Sequence, residues 1–449
     1  MAQESTTYRA LTVGLVALMS LVAFEYMAVA VAMPVAAAEL GGLRLYGLAF
    51  SGAMAAGVVG TVLGGRWADL KGPKAPLWTG TAGFAGGLAL AGTAPSMELL
   101  IAGRMLQGMG GGLVGVALYV VVGRAYPEET HPKIFSLFAT AWVVPSMIGP
   151  ALVGATVDVL GWRWVFLAVP ALTAVAVALL FRGLAGQRLT GRISDAAPGG
   201  LGRKVAWAAV TAVGAGLMQY GGAANPWLLV AGLVVLALAL PRLLPTGTLR
   251  AARGLPAVVG LRGLTAGAFF ATEVIVPLML MAKRDLSPLA AGLALTGGAL
   301  TWSFASWLQG REVFRRTTNL VMGTGAIGLG VLLMGAVTFE AVPVAVAYPS
   351  WIVAGFGMGL VYPTLSVLTL ELSRPGEQGV NSSALQVGEM VFSVVAVALT
   401  GALFTATGSA YWTVFAVALL LAATGLWVAP RHVPSGDTVD PVPAHAAAR

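Results

Sequence analysis

Four ionisable side chains stand inside long apolar stretches of this sequence, where a charge is costly. They are Glu25, Arg104, Glu273 and Glu389. A charged side chain near the centre of a bilayer costs about 2.5–3.5 kcal/mol or more, so such residues usually serve a function. Because desolvation favours the neutral form of a carboxyl group, the three acids are suited to binding and releasing protons. We therefore predict proton coupling through these four residues.

Two of the acids lie at similar depths in their apolar runs. At 1.5 Å per residue, Glu25 is about 16 Å and Glu273 about 14 Å from the outer end of its run. We expect Glu25 to carry the coupling proton under the influence of Arg104, and a static salt bridge between them is the alternative. Glu273 is expected to favour cationic substrates. Glu389 is either a third titrating site or a side chain that snorkels towards the membrane surface.

A second set of side chains near these acids is aromatic or carries an amide. Aromatic rings can stack on a flat lipophilic compound, although packing in the helical core is the alternative for most of them. An amide can bind a polar substrate group or join two helices. The predicted substrate cavity comprises Phe24, Tyr26, Gln107, Phe270, Glu273, Trp302 and Trp351.

The composition restricts the classes of protein to which this chain can belong. Of its 449 residues 58% are hydrophobic and 10% are charged, and the mean hydropathy is +0.86. This balance indicates an integral membrane protein. There is no cysteine and there are three histidines, so thiolate chemistry and a His-rich metal site are excluded. We expect no enzyme activity, no metal, no cofactor and no nucleic-acid partner, with the proton gradient as the energy source.

Fourteen apolar runs, each long enough to cross a bilayer, lie between residues 10 and 430. Of the 26 Lys and Arg residues, 21 fall in gaps on the side of the N-terminus and 4 on the other side. Because positively charged loops stay in the cytoplasm, we predict that both termini are cytoplasmic.

An internal repeat relates the two ends of the chain. Residues 103–114 read GRMLQGMGGGLV and residues 350–361 read SWIVAGFGMGLV, which aligns three glycines and a Leu-Val pair at an offset of 247 residues. Nearly the same offset relates Glu25 to Glu273. Parallel repeats of six helices with a site between them are typical of transporters; shared glycine-rich composition is the alternative explanation.

The repeat divides the chain into four parts. We predict a six-helix half over residues 1–182, a six-helix half over 258–430, and between them a cytoplasmic linker and inserted transmembrane hairpin over 183–257. Residues 431–449 form a tail that we expect to be disordered because of its composition. The predicted fold class is therefore all-α, with two six-helix halves, an inserted hairpin and 14 transmembrane helices.

Several motifs resemble those of the major facilitator superfamily, and within it the drug:proton antiporters with 14 spans. The family's loop motif G-x-L-A-D-R-x-G-R-K is matched by Gly65, Asp69, Gly72 and Lys74, whereas Leu and Pro replace two of its basic residues. The fourth-helix motif L-x-x-x-R-x-x-Q-G-x-G is similar to residues 100–110. The resemblance implies a major facilitator fold that works by alternating access.

A further motif resembles the antiporter motif G-P-x-x-G-G of the exporters in this superfamily. It is present as Gly149, Pro150 and Gly154, with Val153 in place of a glycine. It has no counterpart 247 residues further on, an asymmetry that resembles the exporters. The resemblance therefore implies export rather than import.

The loop motif is expected to act as a conformational latch. Its acid Asp69 ends a helix, where a negative charge is unfavourable, and Asn381 and Ser382 begin a helix on the same side of the membrane. Capped helix N-termini attract anions. We predict that the loop motif docks on this helix in one state of the cycle; a solvated loop acid is the alternative.

Together these features predict a proton-coupled multidrug exporter of the bacterial inner membrane, which we expect to be a monomer. Its substrates would be small lipophilic or cationic compounds. The alternative is a transporter of one specific lipid or metabolite on the same fold, possibly an importer.

Overall fold

The chain folds into fourteen long α-helices in the computed structural model, which describes residues 2–127, 130–185, 201–311, 313–373 and 378–432. Short 3₁₀ turns join some of them. The helices are α1 (Ala2–Glu39), α2 (Tyr46–Lys71), α3 (Lys74–Gly92), α4 (Met97–Ala125), α5 (His131–Leu160), α6 (Trp162–Leu184), α7 (Leu201–Ala224), α8 (Pro226–Leu243), α9 (Leu255–Arg284), α10 (Pro288–Gly310), α11 (Arg316–Ala336), α12 (Ala347–Glu371), α13 (Gln378–Ala406) and α14 (Tyr411–Val428).

Twelve of these helices, within the described residues, are long and apolar enough to cross a membrane. The other two are α3 and α7. Helix α3 has 19 residues, about 28 Å, and is rich in glycine and alanine. The prediction of an all-helical membrane protein is confirmed, whereas the count of fourteen spans stays a prediction.

Close contacts at glycines show in which direction α2 and α3 run relative to α4. Gly57 of α2 lies beside Gly108 of α4, and Gly64 lies beside Leu113, so these two helices run parallel. Along α3 the order is reversed, because Gly80 lies beside Leu113 and Gly87 lies beside Gln107. Helix α3 therefore runs antiparallel to α4 over its whole length. Small residues allow backbones to approach this closely.

The second half repeats this packing around α12. Gly355 of α12 meets the backbone of Gly298 in α10, just as Gly108 meets the backbone of Ala53 in α2. Gly357 lies against the backbone of α11 at Gly323, the counterpart of the contact between α4 and α3. The sequence repeat at residues 103–114 and 350–361 thus corresponds to one packing scheme used twice. The domain boundaries themselves stay a prediction.

The bundle has two ends, which are distinguished by the chain segments that lie there. The termini end is where α1 begins and α14 ends, and the far end is where α1 ends at Glu39 and α9 ends at Arg284. At the termini end the backbone amide of Gly254, just before α9, donates to the carbonyl oxygen of Arg431. Whether this end faces the cytoplasm stays a prediction.

The hairpin α7–α8 lies between the two halves. Its helices run antiparallel, since Gly221 of α7 meets Leu229 of α8 and Gly214 meets Leu236. Helix α7 packs on both α2 and α13, in an apolar cluster that includes Met218. The hairpin is therefore in contact with both halves.

Candidate functional site

The first half contains a closed polar group made of three predicted residues. Arg104 donates from its guanidinium to Glu25 over 2.7 Å and also to the side-chain oxygen of Gln107. The amide nitrogen of Gln107 in turn donates to the second carboxylate oxygen of Glu25. All three side chains are buried. Every oxygen of the Glu25 carboxylate therefore has a partner, in a place where an unpaired charge would be costly.

Helix positions explain how the group forms. Arg104 and Gln107 are three residues apart in α4, so their side chains share one face. The backbone carbonyl of Ala49 in α2 accepts a further hydrogen bond from Nε of Arg104, over 3.4 Å. Three helices thus fix one guanidinium. The predicted pairing of Glu25 with Arg104 is present in the structure, while its role in proton coupling stays a prediction.

Glu273 has a different environment from its repeat-related partner. It is half-buried in α9 and makes no hydrogen bond or ion pair with any other residue that the structure describes. The repeat explains the difference, because Trp351 and Ala354 occupy the positions in α12 that correspond to Arg104 and Gln107 in α4. The second half therefore has the acid without its basic and amide partners.

An aromatic cluster surrounds this region of the second half. Phe270, one turn before Glu273, meets Tyr26 of the first half edge to face with ring centroids 5.9 Å apart. The neighbouring ring of Phe269 stacks on Trp351 at 4.6 Å and meets Trp302 at 5.6 Å. Four of the predicted cavity residues (Tyr26, Phe270, Trp302 and Trp351) thus form one cluster.

Two further aromatic residues contact α5 or belong to it. Phe24 packs against α5 near Gly149 instead of joining the cluster. Trp142 in α5 was not predicted, yet its ring lies 6.1 Å from that of Tyr26, and 39% of its surface is exposed. Its signal in the sequence was weak, since nothing distinguishes Trp142 from a tryptophan that anchors a helix at the membrane surface.

A second ion pair joins α9 to α13. Arg262 donates from Nε to Glu389 over 2.7 Å, and its guanidinium also donates to the carbonyl oxygen of Tyr362 over 3.0 Å while lying above that ring. Both charged side chains are largely buried, at 12% and 21% exposure. Glu389 is therefore paired inside the bundle instead of snorkelling towards the membrane surface. Its proposed titration is untested.

The prediction that Arg262 lies in a gap between spans is wrong, because it lies seven residues inside α9. It also falls within one of the fourteen apolar runs, residues 258–282, so the sequence marks it as a basic residue inside a span in the same way as Arg104.

The antiporter motif lies in the contact between the two halves. A Cβ atom at Gly154 would stand 2.6 Å from the Cα atom of Leu289 in α10, and one at Gly292 would overlap the carbonyl of Pro150. Asp158, one turn after Gly154, accepts a hydrogen bond from the backbone amide of Leu289 over 3.2 Å. We call this contact, formed by residues 150–158 of α5 and 288–292 of α10, the α5–α10 seam.

Further contacts between the halves lie towards the same end. The hydroxyl of Tyr46, at the start of α2, donates to the carbonyl oxygen of Val274 in α9 over 2.6 Å. Ala55 of α2 and Ala398 of α13 share an apolar cluster. These contacts join the halves in the part of the bundle nearer the far end.

The structure describes several of the predicted latch residues at the termini end. Lys74 donates to the carbonyl oxygen of Leu184 over 3.0 Å, and Asn381 donates to the hydroxyl of Ser373 over 2.9 Å. Gly72 ends α2 with a φ of +82°. The side chain of Asp69 lies outside the described residues. The latch stays a prediction.

Three comparisons place these features among known proteins. Residues 15–397 match the family described as the Major Facilitator Superfamily. The chain is 26% identical over 419 residues to the multidrug transporter protein MdtP of Bacillus subtilis, covering 88% of this chain and 75% of that protein. It is 27% identical over 363 residues to the methylenomycin A resistance protein of Streptomyces coelicolor, covering 77% and 75%.

Solved structures show the same fold at low sequence identity. A crystal structure of a POT family transporter in complex with 5-aminolevulinic acid aligns with a TM-score of 0.68 and 16% identity, covering 93% of this chain and 94% of that chain. The human organic anion transporter MFSD10 aligns with a TM-score of 0.60 and 15% identity, covering 94% and 99%.

Proposed function

Because this chain belongs to the major facilitator superfamily and has relatives named as multidrug transporters, we propose that it exports lipophilic cations in exchange for protons. Glu25 would carry the coupling proton, and Glu273 would bind the substrate. The proposed location is the bacterial inner membrane, with both termini in the cytoplasm.

The observation that carries this proposal is the difference between two repeat-related acids. The charge of Glu25 is balanced by Arg104, and its second oxygen accepts a hydrogen bond from Gln107. Glu273 occupies the corresponding place beside an aromatic cluster and has no such partner among the described residues. A cationic substrate at Glu273 would take the role that Arg104 takes at Glu25. The pairing of Glu25 with Arg104 in the first half would thus resemble the pairing of Glu273 with a cationic substrate in the second half.

The surroundings of Glu273 suit a flat cation. Aromatic faces attract cations, by about 2 kcal/mol or more when the site is desolvated. Tyr26 and Phe270 bring rings from both halves to this place, and Phe270 stands one turn before Glu273 in α9. A substrate bound here would contact both halves at once, as alternating access requires.

Proton coupling would follow from the exchange of partners at Glu25. When Arg104 is in place, the carboxylate is stabilised as an anion. If rocking of the halves draws Arg104 away, the same buried carboxyl group would favour its neutral form and take up a proton. The hydrogen bond from Arg104 to the backbone of α2 supports this link, because it ties the guanidinium to a helix that contacts the other half.

We also propose that all fourteen helices span the membrane. Helix α3 packs antiparallel to α4, which supports the proposal that α3 spans the membrane. Helix α7 packs antiparallel to α8 in the hairpin, which supports the same proposal for α7. The contacts between the halves near the far end support assignment of this structure to a state closed on the outside.

Reconstitution of the full chain into vesicles tests the proposal. Ethidium, an aromatic cation, would be the substrate, and an imposed pH gradient the driving force. Glu25→Gln should abolish proton-driven transport by a factor of 100 or more while ethidium binding persists. Glu273→Gln should weaken ethidium binding about tenfold, which corresponds to 1.4 kcal/mol, and affect an uncharged lipophilic compound much less.

The matched control is Glu39→Gln, in the same helix as Glu25. Glu39 is half exposed and bonded to Arg163 and Trp162 at the far end, so its loss should leave transport unchanged. If vesicles with Glu25→Gln still move protons in response to ethidium, the coupling assignment is wrong. Saturable uptake of one compound, without export of ethidium, would favour the alternative of a specific importer.

A further inference from the structure

A groove of about 140 Å³ lies where the hairpin meets the second half, outside the site described above. It is formed by α8, α13, α14 and the segment that follows α8. Its lining is apolar throughout and includes Leu240, Leu249, Val395, Ala396 and Leu421. Nothing in the proposed transport cycle uses this groove.

The size and shape of the groove suit an alkyl chain. Its contacts with α13 extend from Phe392 to Leu399. These two residues are seven positions apart, which is about 10 Å along the helix. Apolar cavities near this size stay free of water and bind apolar molecules. Four of the lining residues come from α13, and Leu249 belongs to the segment that follows α8 at the termini end.

The chain segment that forms that end carries basic residues and no acids, and the nearest acid of α13, Glu389, is already paired with Arg262. Residues 196–272 contain no aspartate and no glutamate. Arg242 and Arg250 are exposed, and they stand two residues and one residue from the lining side chains of Leu240 and Leu249. Arg253 is also exposed, three residues further on. The guanidinium of Arg242 lies 4.5 Å from the ring centre of Trp207, a pairing suited to the membrane surface.

An apolar groove that ends beneath a group of arginines matches an anionic phospholipid. Basic pockets between transmembrane helices bind the headgroups of such lipids, and the neighbouring groove would hold one acyl chain. We propose that this site binds one anionic phospholipid, with its phosphate at Arg242, Arg250 and Arg253 and a chain along α13. The bound lipid would fasten the hairpin to the second half.

Native mass spectrometry of the full chain in detergent tests the site. Dioleoyl phosphatidylglycerol and dioleoyl phosphatidylcholine would be offered at equal concentration, since they share acyl chains and differ in charge. One phosphatidylglycerol should be retained at least tenfold more strongly than phosphatidylcholine. The triple variant R242Q/R250Q/R253Q should lose this preference. Glycerol phosphate, which lacks the chains, should not displace the lipid.

Further variants separate this site from general attraction of anions. Val395→Phe fills the groove from α13 and should reduce retention of both lipids tenfold, and Val417→Phe fills it from α14 if the first variant folds poorly. Arg311→Gln removes an exposed arginine that lies over Trp307, away from the groove, and should have no effect. Equal retention of both lipids by the wild type, or an equal effect of Arg311→Gln, or no effect of either filling variant would overturn the proposal.

Discussion

Arg262 shows how a charge inside this bundle obtains its partners from other helices. Arg262 has three such contacts, the carboxylate of Glu389 and the carbonyl and ring of Tyr362. A pair of this kind contributes little net stability when complete, but it is costly to break, because the remaining charge stays buried without a partner. The pair therefore joins α9 to α13 while contributing little net stability to the fold.

The Arg262–Glu389 pair gives the first prediction. Glu389→Gln should lower the free energy of unfolding by about 3 kcal/mol, the lower end for a buried pair because both side chains keep some exposure. The double variant Arg262→Gln/Glu389→Gln should be more stable than Glu389→Gln alone. Denaturant unfolding in detergent measures both, and additive losses would show that the two side chains do not interact.

The sequence predicted the residues of the first polar group better than those of the second. Glu25 and Arg104 stand out because each is a lone charge in an apolar helix, and the repeat marked Glu273 as the counterpart of Glu25. Pairing across 127 residues, as between Arg262 and Glu389, depends on how far two helices are rotated about their axes. Hydropathy contains no information on that rotation.

Helix packing in this chain depends on glycines at a few positions. In α4 a Cβ atom at Gly108 would overlap the carbonyl oxygen of Ala53, whereas one at Gly115 would meet nothing within 4 Å. The corresponding glycine of the second half, Gly355, meets the carbonyl oxygen of Gly298. Close packing is therefore specific to certain glycines of these helices, and Gly115 of α4 is not one of them.

This contrast gives a second prediction with its own control. Gly108→Ala and Gly355→Ala should each destabilise the protein by about 3 kcal/mol, the upper end for overpacking, because backbone atoms must move apart. Gly115→Ala should be neutral or stabilising by up to about 1 kcal/mol, since alanine favours the helix. Thermal unfolding in detergent compares the three, and equal losses at Gly108 and Gly115 would contradict the packing argument.

The α5–α10 seam gives a third prediction. Gly154→Ala should push the far ends of α5 and α10 apart and populate a state open at that end, because the added methyl group meets the backbone of α10. Gly149→Ala in the same helix is the control, since its nearest neighbour there is a ring atom of Phe24 at 3.6 Å.

Spin labels at two exposed positions on opposite halves, Val159 and Lys283, would report this opening as a longer distance. The chain contains no cysteine, so both labels can be placed without removing native residues. An unchanged distance distribution in Gly154→Ala, or the same change in Gly149→Ala, would show that the close contact at Gly154 does not control the opening of the far end.

At the scale of the whole molecule, the repeat and the hydropathy were sufficient to predict the helical fold. They did not predict where the hairpin would pack, because helix faces that contact lipid and faces that contact protein are equally apolar in a membrane. The position of α7 between α2 and α13 therefore became known only from the structure.

Topology provides the last prediction. Cysteines introduced singly at Asn225, between α7 and α8, and at Ala252, after α8, are both at exposed positions. If all fourteen helices cross the membrane, an impermeant thiol reagent applied to intact cells should label Asn225→Cys and spare Ala252→Cys. Labelling of neither would show that the hairpin does not cross, and labelling of Ala252→Cys would reverse the assigned orientation.

The placement of the hairpin also bears on how compounds dissolved in the bilayer could enter from the side. Two junctions between the halves face the lipid, one between α2 and α13 and the other between α5 and α10. Helix α7 packs on both α2 and α13 and covers the first. Under the proposed function, a compound that enters sideways would have to pass the second junction, so the two flanks of this nearly two-fold symmetric molecule would offer unequal access to its interior.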